Sequence, residues 1–325
     1  MLAQKPETLT IYTYDSFIGK GSLGEFAKAL FEKQTNAKLR FVPFGSAAEG
    51  LNQIILENDS SPADILIGVD NGLLSRAKQT QKFLGFSAET IRNLNRNVLL
   101  DHERQFIPFD YGYLAFVYSA DKTKPIGKEA KILKLSEFIR LPQLNKKIVI
   151  EDPRTSSLGL AFLFWTRSLY PLEKDWILFW KTLSEKLITI APGWSSAYGL
   201  FLKGEADWVL SYTTSPAYHI EKENKNQFRV QVLSDFPYAQ VEMLGVLKSS
   251  KHIALAKQFV DLMLNQEIQS ALPTKQWMYP ALRGVKLPAS FGSVEPEIEG
   301  KQVMEIPSEL SRKKWLTQWS EIVSK

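Results

Sequence analysis

The sequence predicts an α/β protein of two lobes, and three observations carry that prediction. At 325 residues the chain is too long for one compact core. Short apolar runs alternate with amphipathic helical segments in βαβαβα order, the pattern of a parallel sheet covered by helices on both faces. Two longer apolar strands, at 110–119 and 238–247, separate one such series from the next. A chain that crosses twice between lobes leaves a ligand cleft between them, lined by strand ends and helix N-termini. The expected partition is 1–115 with 243–325 for a discontinuous first lobe, and 116–242 for the second.

Taken in order, residues 9–14 (LTIYTY) read as the first strand. In 22–34, Leu23, Phe26, Ala27, Leu30 and Phe31 share one helical face. Residues 38–44 alternate as a strand, 47–57 are helical, and 63–69 (ADILIGV) form an apolar run of buried-strand type. A helix at 72–79 completes the first series. The strand at 110–119 leads into polar, lysine-rich sequence as far as Lys131. The second series is strand 147–151, helices 156–169 and 172–186, strand 187–191, helix 195–202, strand 207–212, helix 216–222 and strand 228–233. The tail is helical at 253–271 and, beyond a Pro- and Gly-rich stretch at 280–300, at 308–323.

Composition narrows the function. Forty basic residues against 35 acidic ones give +5, but they are scattered singly or in short runs such as Lys146-Lys147 and Arg312-Lys313-Lys314. No concentrated basic face exists, so no nucleic-acid partner is expected. The absence of cysteine excludes disulfides, thiolate metal sites and a cysteine nucleophile. His102, His219 and His252 are far apart, so no metal site is expected. The longest uncharged run, 187–202, is shorter than the roughly 20 residues of a membrane span and is broken by Pro192, Gly193 and Gly199. MLAQKPETLT lacks an apolar signal-peptide core, which fits either a cytoplasmic protein or a mature form whose signal was removed.

The most informative stretch is 192–219, where Trp194, Tyr198, Tyr212 and Tyr218 stand among Ser, Thr, Gly and Pro with three charged side chains. A second island, QWMYP at 276–280, places Trp277 and Tyr279 alike. Aromatic rings on loops make a stacking box for a flat ligand, and a cationic ring gains roughly 0.5–2 kcal/mol per well-placed face. Trp194, Tyr212, Tyr218 and Trp277 therefore read as rim residues rather than core. The glycines of GKGSLG (19–24) match a dinucleotide fingerprint literally, but four residues separate strand from loop and no ribose-binding acid follows the second strand. They read as a loop opening a helix. Asp152-Pro153-Arg154-Thr155-Ser156-Ser157 combines good N-cap residues with a helix start receptive to phosphate, and both uses share one surface. Asp15, Asp70 and Asp110 lie at or beside strand ends, either capping helices or balancing a ligand's positive charge.

IYTYDSF (11–17), PFDYGYLAFVY (108–118), EDPRTSSLGL (151–160), GWSSAYGLFLKGEADWVLSYTTSPAYHI (193–220) and WMYP (277–280) resemble, in order and spacing, the periplasmic thiamine-binding proteins of bacterial ABC importers. That resemblance implies a type II periplasmic binding protein fold that closes on thiamine and its mono- and diphosphates. It implies an aromatic ligand box of Tyr14, Trp194, Tyr212, Tyr218 and Trp277, with Ser156 at the phosphate end. It further implies ABC permease and ATPase partners, a monomer without a cofactor, and a periplasmic location reached after loss of a signal. The family carries an acidic residue where this chain has Ser46, which leaves Glu49, Asp70 and Asp15 as candidates to balance the cation.

Two other readings share this fold. A thiaminase-like enzyme needs the cysteine nucleophile that this chain lacks. An iron(III) or other anion binder needs adjacent phenolates, whereas Tyr212 and Tyr218 are six residues apart with His219 alone nearby.

Overall fold

The computed structural model describes residues 6–123, 134–231, 233, 238–292 and 306–324. The lysine-rich stretch before Lys131 lies outside the described residues from 124 onward, as does the Pro- and Gly-rich stretch from 293. Ten strands are described: β1 (Thr8–Tyr14), β2 (Lys38–Phe44), β3 (Ile65–Val69), β4 (Ile107–Ser119), β5 (Ile148–Glu151), β6 (Leu187–Ala191), β7 (Trp208–Tyr212), β8 (Phe228–Gln231), β9 (Ala239–Val246) and β10 (Tyr279–Pro280). The chain divides into two units, Met1–Tyr111 with Val241–Pro288 and Gly112–Gln240 with Ala289–Lys325.

In the first unit β1 lies between β2 and β3, all parallel, and β9 runs antiparallel along β3. All five residues of β3 are buried, as a strand covered on both faces requires. Helices Leu23–Thr35, Ala47–Glu57 and Asn71–Gln79 start at Ser22, Ser46 and Asp70. Each of these side chains accepts an otherwise orphaned first-turn N–H. Gly24 of the glycine motif packs against Phe17, whose carbonyl oxygen would stand 2.5 Å from an added Cβ. Close packing therefore accounts for that glycine. The single helix expected at 253–271 is two, Ile253–Met263 and Gln266–Lys275. Asn265 divides them because its side chain accepts the Ile268 N–H (2.8 Å) and starts a new helix.

In the second unit β5 lies between β6 and β7, all parallel, while β7 and β8 pair antiparallel with β4. Its core is rich in indoles. Trp165, Trp176, Trp180, Trp208 and Trp319 are fully buried, and the Trp176 and Trp180 N–H groups both donate to Thr166 Oγ1 (3.1 and 3.2 Å).

The tail departs from the expected partition. Helix Glu309–Val323 belongs with the second unit, not with the first lobe to which 243–325 was assigned. The reason is its apolar face: Trp315, Leu316, Trp319, Ile322 and Val323 pack on the indole core, with Trp319 edge-on to Trp180 at 6.0 Å.

Candidate functional site

Each unit carries its own set of candidate residues. In the first unit Tyr14 ends β1, its ring packed against Gly68 of β3. Gly68 has φ +99°, and an added Cβ there would stand 2.6 Å from the Tyr14 ring, so the ring's seat requires this glycine. The Tyr14 phenol donates to Glu242 Oε2 (2.6 Å) and accepts from Gln276 Nε2 (2.6 Å). Trp277 follows directly, half-buried and at φ +62°, a left-handed conformation that suits glycine better than a bulky residue.

The carboxyls around Tyr14 are crowded. Asp110 on β4 is fully buried, and neither of its oxygens has a hydrogen-bond partner among the described residues. Burial, and then the Glu242 charge, push its carboxyl well above the usual range. Glu242 on β9 is raised to about 7, chiefly by burial and further by Asp70, while the Tyr14 hydrogen bond works the other way. Asp70 is buried and caps its helix through the Leu73 N–H (3.0 Å).

The other expected carboxylates do not join this group. Asp15 is exposed on the 3-10 turn after β1. Ser46 caps helix Ala47–Glu57 by accepting the Glu49 N–H, and the exposed Glu49 carboxylate accepts the Gly45 N–H (3.0 Å). Ser46 and Glu49 thus organise a helix start.

In the second unit a buried framework supports the aromatic rings. Trp194 opens helix Trp194–Lys203 and remains 38% exposed. Its indole stacks on Tyr198, with centroids 5.0 Å apart at 24°, and its N–H donates to Ser211 Oγ (2.8 Å). Ser211 Oγ lies 2.7 Å from Ser215 Oγ, which accepts the Tyr212 N–H. The Tyr212 phenol donates to Gln240 Oε1 (2.6 Å). Tyr198 is buried, its hydroxyl 3.0 Å from His219 Nε2, and His219 Nδ1 lies 2.9 Å from Glu223 Oε2. Burial, and then the Glu223 charge, push the Tyr198 phenol up, so it stays protonated beneath the indole. His219, then Lys225, hold Glu223 below the usual carboxylate range. Tyr218 presents its ring outward (40% exposed), edge-on to His219.

Ser156 is buried and caps helix Ser157–Leu169 by accepting the Gly159 N–H. Its loop is tied to the one before Trp194, because Thr155 Oγ1 donates to the Pro192 carbonyl (2.7 Å) and Asp152 N–H to that of Ala191 (2.8 Å). The start of that helix and the Trp194 platform are therefore neighbours. Glu242, Gln276, His219 and Gln240 were not among the expected binding residues, whereas Asp110 and Tyr198 were singled out by the sequence. The signal for Glu242 and Gln240 was available in two polar side chains within the apolar strand YAQVEMLGVL.

Among known proteins, the family model for bacterial extracellular solute-binding proteins matches residues 15–270. The chain belongs to that family. This solute-binding protein is 37% identical to the thiamine-binding periplasmic protein of Escherichia coli (strain K12), over 98% of this chain and 94% of that one. It is 38% identical to the protein of that name from Salmonella typhimurium, with the same coverage of both chains. Among solved structures it is similar to a periplasmic thiamin binding protein, with TM-score 0.88 and 37% identity, covering 99% of this chain and 98% of that one. Its α/β architecture is that of the type II periplasmic binding proteins, as the sequence predicts.

Proposed function

We propose that this solute-binding protein captures thiamine in the periplasm and delivers it to the permease and ATPase of an ABC importer. The observation that carries the reading is a rigid, outward-facing indole, Trp194, backed by Tyr198 and fixed at its N–H by Ser211. Such a platform gives up little side-chain entropy on taking a flat ring, and it rewards a cationic one. Near-full-length similarity to proteins named for thiamine binding supports the same choice.

Thiamine has three chemical parts, and each finds a suitable group here. The thiazolium suits aromatic faces and carboxylates, and the aminopyrimidine suits polar side chains such as those around Tyr212. A hydroxyl or phosphate tail suits the N-terminus of helix Ser157–Leu169, where backbone N–H groups and the helix dipole favour an anion. Capture and release need no covalent step and no cofactor, and the protein acts as a monomer.

A thermal-shift titration with thiamine and its mono- and diphosphate tests the reading. Saturable stabilisation by thiamine is expected. Absence of any shift with all three, together with a colour on adding ferric iron, would sink it in favour of a tyrosine-based iron site.

A further inference from the structure

The charge of the thiazolium needs a counterpart, and the acidic position expected after β2 holds Ser46, a helix cap. Asp15, on a 3-10 turn, and Glu49, in the first turn of helix Ala47–Glu57, are exposed. Around Tyr14 the carboxyls are Asp70, Asp110 and Glu242. Asp70 accepts the Leu73 N–H. Asp110 and Glu242 differ: among the described residues neither forms an ion pair, and Asp110 lacks even a hydrogen bond although it is fully buried. The groups that face Glu242 are the Tyr14 phenol on β1, Asp70 at the start of helix Asn71–Gln79, and Asp110 on β4. All are neutral or acidic. Two neighbouring carboxylates, one fully buried and the other half-buried, resist ionising together without a cation, so the pair favours holding a proton.

We propose that Asp110 and Glu242, the latter oriented by the Tyr14 phenol that Gln276 holds, form the specificity pair of the first unit, giving up one proton in exchange for the ligand's fixed positive charge. The inference rests on the thiamine reading and deepens it. On binding, the acid O–H breaks, its proton passes to the buffer, and the resulting carboxylate faces the cation. A ligand without permanent charge cannot drive that exchange. The raised carboxyls agree with the geometry and set the sign of the linkage. Without ligand the pair holds its proton below about pH 7, a bound cation lowers its proton affinity, and binding therefore weakens as pH falls.

The test is titration calorimetry of the full chain with thiamine at pH 5.5, 6.5 and 7.5, in pairs of buffers with different ionisation enthalpies. An analogue whose thiazolium nitrogen is replaced by carbon is titrated alongside. Wild-type protein is expected to release up to one proton per thiamine at pH 5.5 and 6.5, with affinity rising toward about tenfold per pH unit. Glu242→Gln, and as a second variant Asp110→Asn, should release fewer protons, flatten the pH dependence and narrow the preference for thiamine over the uncharged analogue. Thermal melts of the ligand-free variants establish that they fold.

Thiamine binding with no proton release, and wild-type discrimination in both folded variants, would overturn the pair while leaving the thiamine reading intact. No binding of thiamine by wild-type protein at any pH would overturn that reading and the pair with it.

Discussion

The two units build their candidate residues from different materials. The second unit assembles its aromatic platform from one continuous stretch: Trp194, Tyr198, Ser211, Tyr212, Ser215 and His219 are joined by contacts spanning a few to about twenty residues. The first unit assembles its polar group from the ends of distant strands, and Tyr14 and Glu242 meet across 228 residues of sequence. Hydrogen bonds hold the aromatic platform in one orientation. The polar group is held by Tyr14 and Gln276 but leaves a buried carboxyl unmatched. One unit offers a fixed aromatic surface, the other a buried carboxyl without a hydrogen bond among the described residues.

From that contrast, the largest loss of affinity is expected at the platform. Trp194→Ala should weaken thiamine binding by about 2 kcal/mol, roughly thirtyfold, with melting unchanged because the ring is partly exposed. Wild-type affinity in a calorimetric titration would break the account of the second unit. Trp277→Gly should separate binding from stability. Losing the ring costs about tenfold in affinity, while relief of the left-handed backbone returns roughly 1 kcal/mol of stability. A melting temperature well below wild type would show that the indole serves packing instead.

A pH series of ligand-free melts sharpens the comparison. Raised carboxyls bind protons more tightly in the folded state, so Asp110 and Glu242 lose stability for the protein as pH rises from the usual carboxylate range toward about 7. Glu223 is lowered, so its contribution is present above its unfolded value and is lost as pH falls through the folded one. Stability should peak in mildly acidic solution, with Glu242→Gln flattening the alkaline limb and Glu223→Gln the acid limb. The smallest effect expected is that of Ser46→Asp. Asp caps a helix as well as Ser, and the cation already has carboxylates, so affinity should change less than about threefold. A tenfold gain would mean that the first unit lacks the charge assigned to it.

How far each region could be read in advance follows from the same contrast. Strand and helix periodicity is local, and the elements 38–44, 47–57 and 187–191 coincide with those of the structure. The rim placement of Trp194, Tyr212 and Tyr218, none of them fully buried, was legible because the chain keeps them together among turn residues. The carboxyl group was not, because Asp110 and Glu242 become neighbours only when β4 and β9 are placed in the folded chain. Alone, each looks like a single acid on an apolar strand. Ser46 was legible as a departure from the family pattern, but its role as a helix cap needed the backbone. The tail was misassigned because amphipathicity shows that helix Glu309–Val323 has an apolar face without showing which core receives it.

The most direct measurement of the central claim is a calorimetric titration of the purified chain with thiamine at pH 7.5. The account predicts saturable one-to-one binding that Trp194→Ala weakens by roughly thirtyfold. No heat and no thermal stabilisation with thiamine or either phosphate would contradict it.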